Sequence, residues 1–231
     1  MTQCIISIII PVLNEAAIIK STLTQLQQHS GVEIIVVDGG SQDNTVALVE
    51  QTGVKVITVL GKGRAGQMNA GANIARGNIL LFLHADTRLP PHFVDLVIQT
   101  LKQPRTVAGA FKLAIEGADR SLRWVEMIVE MRSRLLSLPY GDQAIFISQP
   151  AFIDSGGFAD LPIMEDFEFV RRIKSRGRIA IAPAAVHTSG RRWRKLGVWK
   201  TTLINQLIIA GFYLGISPAK LANFYRSQGK Q

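Results

Sequence analysis

The stretch Ile79-Leu80-Leu81-Phe82-Leu83-His84-Ala85-Asp86-Thr87 decides how the chain is read, because an apolar run stops abruptly at a histidine, a small residue and a carboxylate. A run this short, bounded by Gly77-Asn78 and by Thr87 to Pro91, has the pattern of a strand buried on both faces of a sheet. Ligands of open α/β sheets gather beyond the carboxyl ends of such strands. His84 and Asp86 stand two apart, so in extended backbone both side chains leave on the same side and could hold one cation. The alternative is that Asp86 caps the following turn through the Thr87 amide, and the spacing leaves both readings open.

The units upstream repeat the design. Ser7 to Pro11 reads as a strand, and Asn14-Glu15 opens a helix whose apolar positions Ile18, Ile19, Leu23 and Leu26 follow helical spacing. Glu33 to Val37 is a second strand ending on Asp38-Gly39-Gly40-Ser41, followed by a short helix, Thr45 to Gln51. Val54 to Leu60 is a third, followed by Gly61-Lys62-Gly63-Arg64-Ala65-Gly66 and a helix to about Arg76. Strands alternating with helices through short loops imply a parallel α/β sheet with right-handed crossovers, which brings Glu15, Asp38, Arg64 and Asp86 to one edge. Glu15 also has a simpler role as a first-turn dipole partner, and Asp38 as a turn former.

Downstream, His92 to Leu101 reads as a helix and Val107 to Ile115 as a strand. Leu122 to Leu138 reads as an amphipathic helix with Leu122, Val125, Ile128, Val129, Leu135 and Leu136 on one face and Arg123, Glu126, Glu130 and Arg134 opposite. Tyr140-Gly141-Asp142-Gln143 is a turn into a strand over 144–147. Glu165-Asp166 falls in the first turn of another helix, where acids are ordinary dipole partners. A last strand, Ile179 to Ala182, leads to His187 and Gly190-Arg191-Arg192-Trp193. His187 is a candidate third metal ligand, although a lone histidine after a strand is more often structural.

With 231 residues and 47% of them apolar, the chain can bury a real core as one elaborated domain and is not a disordered protein. One cysteine excludes an internal disulfide and a cysteine-built zinc site. The apolar start, Cys4 to Leu13, lacks a preceding Lys or Arg and is read as a cytosolic strand, not a leader. The net charge of +9, thickening toward the C-terminus, calls for an anionic partner: a nucleotide diphosphate, nucleic acid or acidic lipid. Leu203 to Ile216 is too short to span a bilayer; it could lie in a membrane interface or pack onto the domain.

Gly61-x-Gly63-x-x-Gly66 follows a strand, opens a helix and precedes Asp86 at the spacing of a ribose-binding acid, so an NAD-dependent oxidoreductase is a formal rival. The motif sits in the third strand-helix unit, not the first, carries Lys62 and Arg64, and has His84 beside the acid. A glycine loop that merely shapes a turn is the simpler reading.

Taken in order, Ser7 to Glu15 (Ser-Ile-Ile-Ile-Pro-Val-Leu-Asn-Glu), Val36 to Thr45 (Val-Val-Asp-Gly-Gly-Ser-Gln-Asp-Asn-Thr), Asn69-Ala70-Gly71, His84-Ala85-Asp86 and Glu165-Asp166 form one set. It resembles the inverting family-two glycosyltransferases, the GT-A group that includes cellulose and chitin synthases. The resemblance implies a single GT-A-like domain over residues 1–195, with a mainly parallel Rossmann-like sheet and helices on both faces. Residues 1–89 would form the nucleotide-binding half, 90–195 the acceptor and catalytic half, and 196–231 a C-terminal helical tail.

By the same resemblance Pro11, Glu15 and Asp38 would hold the base and ribose. Arg64 and Asn69 would lie near the diphosphate or sugar, with Ala85 in the donor loop. Asp86 would close an Asp-x-Asp motif binding Mn2+ or Mg2+, with His84 where the family usually has aspartate. Asp166 would be the catalytic base, and Arg192-Trp193 the remnant of a Gln-x-x-Arg-Trp motif, with Arg192 stabilising the leaving group. That motif's glutamine is missing and no multi-span region follows, so transfer of one sugar from a nucleotide sugar, UDP favoured over GDP, to a small or lipid-linked hydroxyl is expected instead of polymer synthesis. The expected setting is the cytoplasm, with peripheral contact at the inner face of the plasma membrane and no nucleic-acid partner. A non-catalytic module binding anionic membranes is the remaining alternative; Asp38, Asp86 and Asp166 are acids that such a module would not need.

Overall fold

The computed structural model describes residues 5–229 and their side chains, except those of residues 134–136, 192 and 229. Cys4 and the side chains of Arg134, Leu135, Leu136 and Arg192 therefore lie outside the described residues. The N-terminal half runs β1 (Ile6–Val12), α1 (Ile19–Leu26), β2 (Val32–Asp38), α2 (Thr45–Glu50), β3 (Lys55–Thr58), α3 (Gly63–Asn73) and β4 (Ile79–Phe82). Then come β5 (Thr87–Arg88), α4 (Phe93–Leu101), β6 (Thr106–Ile115), α5 (Arg120–Leu136), β7 (Phe146–Ser148), α6 (Gln149–Asp154), α7 (Glu165–Ile173) and β8 (Arg178–Thr188). The chain closes with α8 (Arg191–Leu196), α9 (Val198–Tyr213) and α10 (Pro218–Gly229).

Among the described residues, eight strands share one sheet in the order β3-β2-β1-β4-β7-β6-β8-β5. The four from β3 to β4 are parallel, as the alternation of elements requires. β7 then runs antiparallel to both its neighbours, β6 and β8 pair in parallel, and β5 closes the edge antiparallel, so the sheet is mixed. β1, at the centre of the parallel half, is buried on both faces. Ile8 and Ile10 join Leu81 in one core layer, while Ile9 joins Ile35, Val37, Leu80 and Phe82 in the other. That period-2 split is what an apolar run without polar alternation buys in a covered sheet.

One detail departs from the local reading, and two decide between alternatives that it leaves open. β4 stops at Phe82, and residues 84–87 form a turn in which the Thr87 N–H donates to the His84 carbonyl at 3.1 Å. The extended backbone that would send His84 and Asp86 the same way is absent, and the Thr87 amide is not held by the Asp86 carboxylate either. The glycine loop follows β3, a strand at the sheet's edge, whereas a dinucleotide fingerprint follows the central strand beside the switch point. Gly61 and Gly63 have φ of +71° and +60°, so their role is to let the chain turn into α3. The C-terminal tail packs onto the domain: Ile204 and Ile208 of α9 and Leu221 of α10 form a cluster with Met164 and Phe167. Among the described residues, no helix is long and apolar enough to cross a membrane.

Candidate active site

Two cavities meet at the carboxyl edge of the parallel strands. The larger, about 670 Å³, is lined by Pro11 near the end of β1 and Glu15 beyond it, by Gly61 to Arg64 at the start of α3, and by Tyr225 and Arg226 of α10. The smaller, about 200 Å³, holds Arg64, His84, Tyr140, Asp142 and Asp166. Arg64, Ile163 and Tyr225 line both and form the passage between them.

Met164, the residue before α7, has a left-handed φ of +67°, and the two acids that follow diverge. Glu165, 2% exposed, makes an ion pair with the Arg64 guanidinium across 101 residues of chain. Burial raises the Glu165 pKa and the Asp166 charge adds to it, against the pull of Arg64. Burial opposes the Arg64 charge, but Glu165 and Asp166 overcome it and keep the guanidinium ionised. Asp166 points into the smaller cavity. It accepts the Gly141 N–H at 2.7 Å through Oδ2 and its neighbour Phe167 N–H at 2.8 Å through Oδ1. A Cβ at position 141 would lie 2.8 Å from that Oδ2 and 3.3 Å from His84 Nε2, so only glycine fits between them.

His84 Nε2 lies 3.5 Å from Arg64 Nη1. Arginine has only donors, so a hydrogen bond between them requires Nε2 to be the unprotonated nitrogen. Burial and the Arg64 charge push the histidine down to about 4, which keeps the ring neutral. Asp142 was legible only as a turn residue, yet it faces the same cavity. Its Oδ1 is buried without a hydrogen-bond partner, and burial, with Asp166 beside it, pushes its pKa up to about 6 against the pull of Arg132. Arg132 in turn stacks on the Tyr140 ring, 3.3 Å from the centroid. An acid directly after a turn glycine was the one local signal available.

The other expected residues are placed as follows. Asp38 is 1% exposed, and its carboxylate accepts the Gly40 N–H at 2.8 Å and the Ser41 N–H at 3.1 Å, the turn-forming role. Asn69 is tied to the backbone of Phe158, donating at 2.8 Å and accepting at 2.9 Å, which anchors α3 to the loop before α7. Ala85 is buried, and its carbonyl accepts the Thr22 hydroxyl. Asp86 lies outside the lining of both cavities and meets Arg191 at 3.3 Å. The same Arg191 donates to both Glu15 oxygens, at 2.9 and 3.1 Å. Its neighbour Arg192 lies at the second residue of α8, with its side chain outside the described residues.

His187 is exposed on β8 opposite Arg88. His84, Asp86 and His187 therefore do not gather: among the described residues no group of three His, Cys, Asp or Glu side chains could hold a metal ion. The donors on offer are one partly buried carboxylate and one neutral imidazole. That set suits a divalent ion only if a bound diphosphate and water complete the shell, the usual manner of Mg2+ with nucleotide phosphates.

The sequence profile named Glycosyl transferase family 2 matches residues 7–159. An undecaprenyl-phosphate 4-deoxy-4-formamido-L-arabinose transferase of Serratia proteamaculans is 33% identical over 131 residues, covering 52% of this chain and 39% of that protein. An uncharacterized glycosyltransferase of Haemophilus influenzae is 29% identical, covering 73% of this chain and 61% of its own length. The chain thus spans less than two thirds of the length of these relatives. Among solved structures, S. aureus TarS 1-349 superposes with a TM-score of 0.65 at 18% identity, over 80% of this chain and 60% of that one. The mannosyltransferase PcManGT of Pyrobaculum calidifontis, in complex with GDP-Man and Mn2+, gives 0.62 at 19% identity, over 79% and 56%. At such identities the likeness speaks for the fold.

Proposed function

Since this chain belongs to glycosyl transferase family 2, we propose that it moves one sugar from a nucleotide-diphosphate donor to a hydroxyl of a small or lipid-linked acceptor, with inversion. The observation that carries this is Arg64, standing where a cleft large enough for a nucleotide opens into the cavity holding Asp166. The donor would lie in the larger cleft, with its diphosphate at the N-terminus of α3 beside Lys62 and Arg64. The helix dipole and both cations favour the charge that develops there as the glycosidic bond breaks. Pro11 and Glu15 would flank the nucleoside, with Asp38 and Asn69 shaping the loops behind it.

In the transfer, the acceptor oxygen attacks the anomeric carbon as the bond to the diphosphate oxygen breaks. Asp166, on the far side of Arg64 from the donor cleft, takes the hydroxyl proton. Its two backbone hydrogen bonds fix the carboxylate and leave lone pairs for that proton. The unpartnered Asp142 Oδ1 would orient the same hydroxyl. Asp86, with His84 nearby, would hold Mn2+ or Mg2+, which supplies further neutralisation of the diphosphate when bound. Arg191 pairs with Asp86 and must shift if an ion takes its place.

Relatives named undecaprenyl-phosphate transferases support a lipid-linked acceptor, and solved neighbours in complex with UDP-GlcNAc and with GDP-Man support a nucleotide-sugar donor of either base. The test is a screen of UDP- and GDP-sugars with Mn2+, read by thermal shift and by release of the nucleoside diphosphate. Stabilisation by at least one of them, and none by NAD, is expected. Stabilisation by NAD alone, or by none of these, would overturn the reading.

A further inference from the structure

On α9, Trp199, Leu203 and Leu207 recur every four residues and are 69%, 60% and 50% exposed. This helix is apolar nearly all round, a composition that normally means cover on every side. Here only the flank carrying Ile204 and Ile208 is covered. α5 presents a matching stripe of Trp124, Met127, Ile128 and Met131, each about half exposed. Between the two helices runs a cleft of about 340 Å³, with Val125 and Ile128 on one wall and Gln206 and Ile209 on the other. At its floor Tyr140, Asp142 and Phe167 also line the cavity of Asp166, so the cleft leads from the apolar face to the proposed base. Contiguous exposed apolar surface of this kind marks a partner.

Charge says which partner. After Glu168 the sequence contains no Asp or Glu, yet thirteen of its 26 Lys and Arg residues, among them Lys200 of α9 and Lys220 of α10. The acids of α5 are turned to the sheet: Glu126 accepts the Ile115 N–H and Glu130 meets Lys112 at 3.3 Å. A second copy of the chain would press one predominantly basic surface against another. An anionic bilayer answers both features, taking Trp and Leu side chains into its interface and attracting the lysines. We propose that the α5–α9 face docks on an anionic lipid bilayer, with the cleft between the helices opening onto the hydrocarbon. Docking stands independently of the enzymatic reading; use of the cleft by the chain of a lipid-linked acceptor rests on it.

The test sediments the full chain, without nucleotide, with phosphatidylcholine vesicles that contain or lack phosphatidylglycerol. Binding to the anionic vesicles alone, weakened by salt, is expected, with a loss of about tenfold in the double variant W199S/L203S. Lys200→Glu, an exposed change that leaves the core intact, should weaken binding by about tenfold as well and keeps the test valid if the double variant fails to fold. Absent binding, equal binding to neutral vesicles, or variants that bind like the parent would overturn the proposal. So would a concentration-dependent dimer that W199S/L203S abolishes, since a second copy would then cover the face. No nucleotide sugar takes part, so failure of the glycosyltransferase reading leaves these outcomes unchanged.

Discussion

The two cavities that meet at Arg64 are built from different kinds of contact. The larger is framed mainly by turns at the carboxyl ends of parallel strands and the N-terminus of α3, and a sheet of given order fixes where those turns go. The smaller is framed by side chains drawn from six distant places: Arg64, His84, the Tyr140-Gly141-Asp142 turn, the start of α7, α9 and α10. Its geometry depends on pairings such as Arg64 with Glu165 and Gly141 with Asp166, which no local rule imposes. The donor side is therefore expected to tolerate change in single side chains, and the acceptor side to be sensitive to it.

The sharpest way to break this contrast is Asp166→Asn. Transfer should fall by about 10²- to 10⁴-fold, the range for losing a general base, while calorimetry finds nucleotide-sugar affinity nearly unchanged. Equal loss of both would make Asp166 a structural residue that merely holds Gly141. Next comes Arg64→Met, which strands the buried Glu165 charge. A loss of about 2 kcal/mol in urea unfolding is expected, less than for a fully buried pair because Arg64 is 41% exposed. Adding Glu165→Gln should restore most of that stability without restoring transfer, which separates the pair's structural role from the arginine's role at the diphosphate.

Asp86→Ala should weaken metal-dependent nucleotide binding by about tenfold and abolish its response to EDTA. An unchanged response would remove Asp86 from metal binding. The smallest effect is in the pH dependence of stability. Asp142 has its folded pKa raised from 3.8 to about 6, so it binds its proton more tightly when folded, and stability falls as pH rises through that window. Asp142→Asn should therefore raise the melting free energy by about 1–2 kcal/mol at pH 7.5 and by nothing near pH 4. His84 has the opposite sign. Its folded pKa is lowered from 6.5 to about 4, so stability is lost as pH falls between those values, and His84→Gln should flatten that loss. The two windows overlap, and the parent protein should look less pH-sensitive than either variant in a series of thermal melts.

How much of this was legible follows the same divide. Glu15, Arg64 and Asp86 fall at strand ends because alternating apolar runs and short loops specify a parallel sheet, and the family motifs reinforced that placement. Strand alternation does not reach His84 and Asp86, because β4 ends at Phe82; the turn at His84 sends one side chain to the cavity and leaves the other to Arg191. Asp142 looked like turn chemistry because its meaning comes from Arg132 and Asp166, both outside any local window. Arg191 adjoins Arg192 in the sequence, but its attachment to Glu15, 176 residues away, cannot be read from a neighbouring position.

By itself, then, the sequence determined the alternation of strands and helices as far as β4, the burial of β4 on both faces, and the acids and the arginine near the strand ends. Periodicity and turn residues are local, and local patterns suffice to say which face of an element is apolar. Only the tertiary structure decided that α10 would wall the larger cleft and that α5 and α9 would leave an apolar face uncovered. It alone decided that Arg64 would stand between two cavities. Those outcomes depend on which distant surfaces pack together, and a burial pattern constrains how much surface must be covered without saying what covers it.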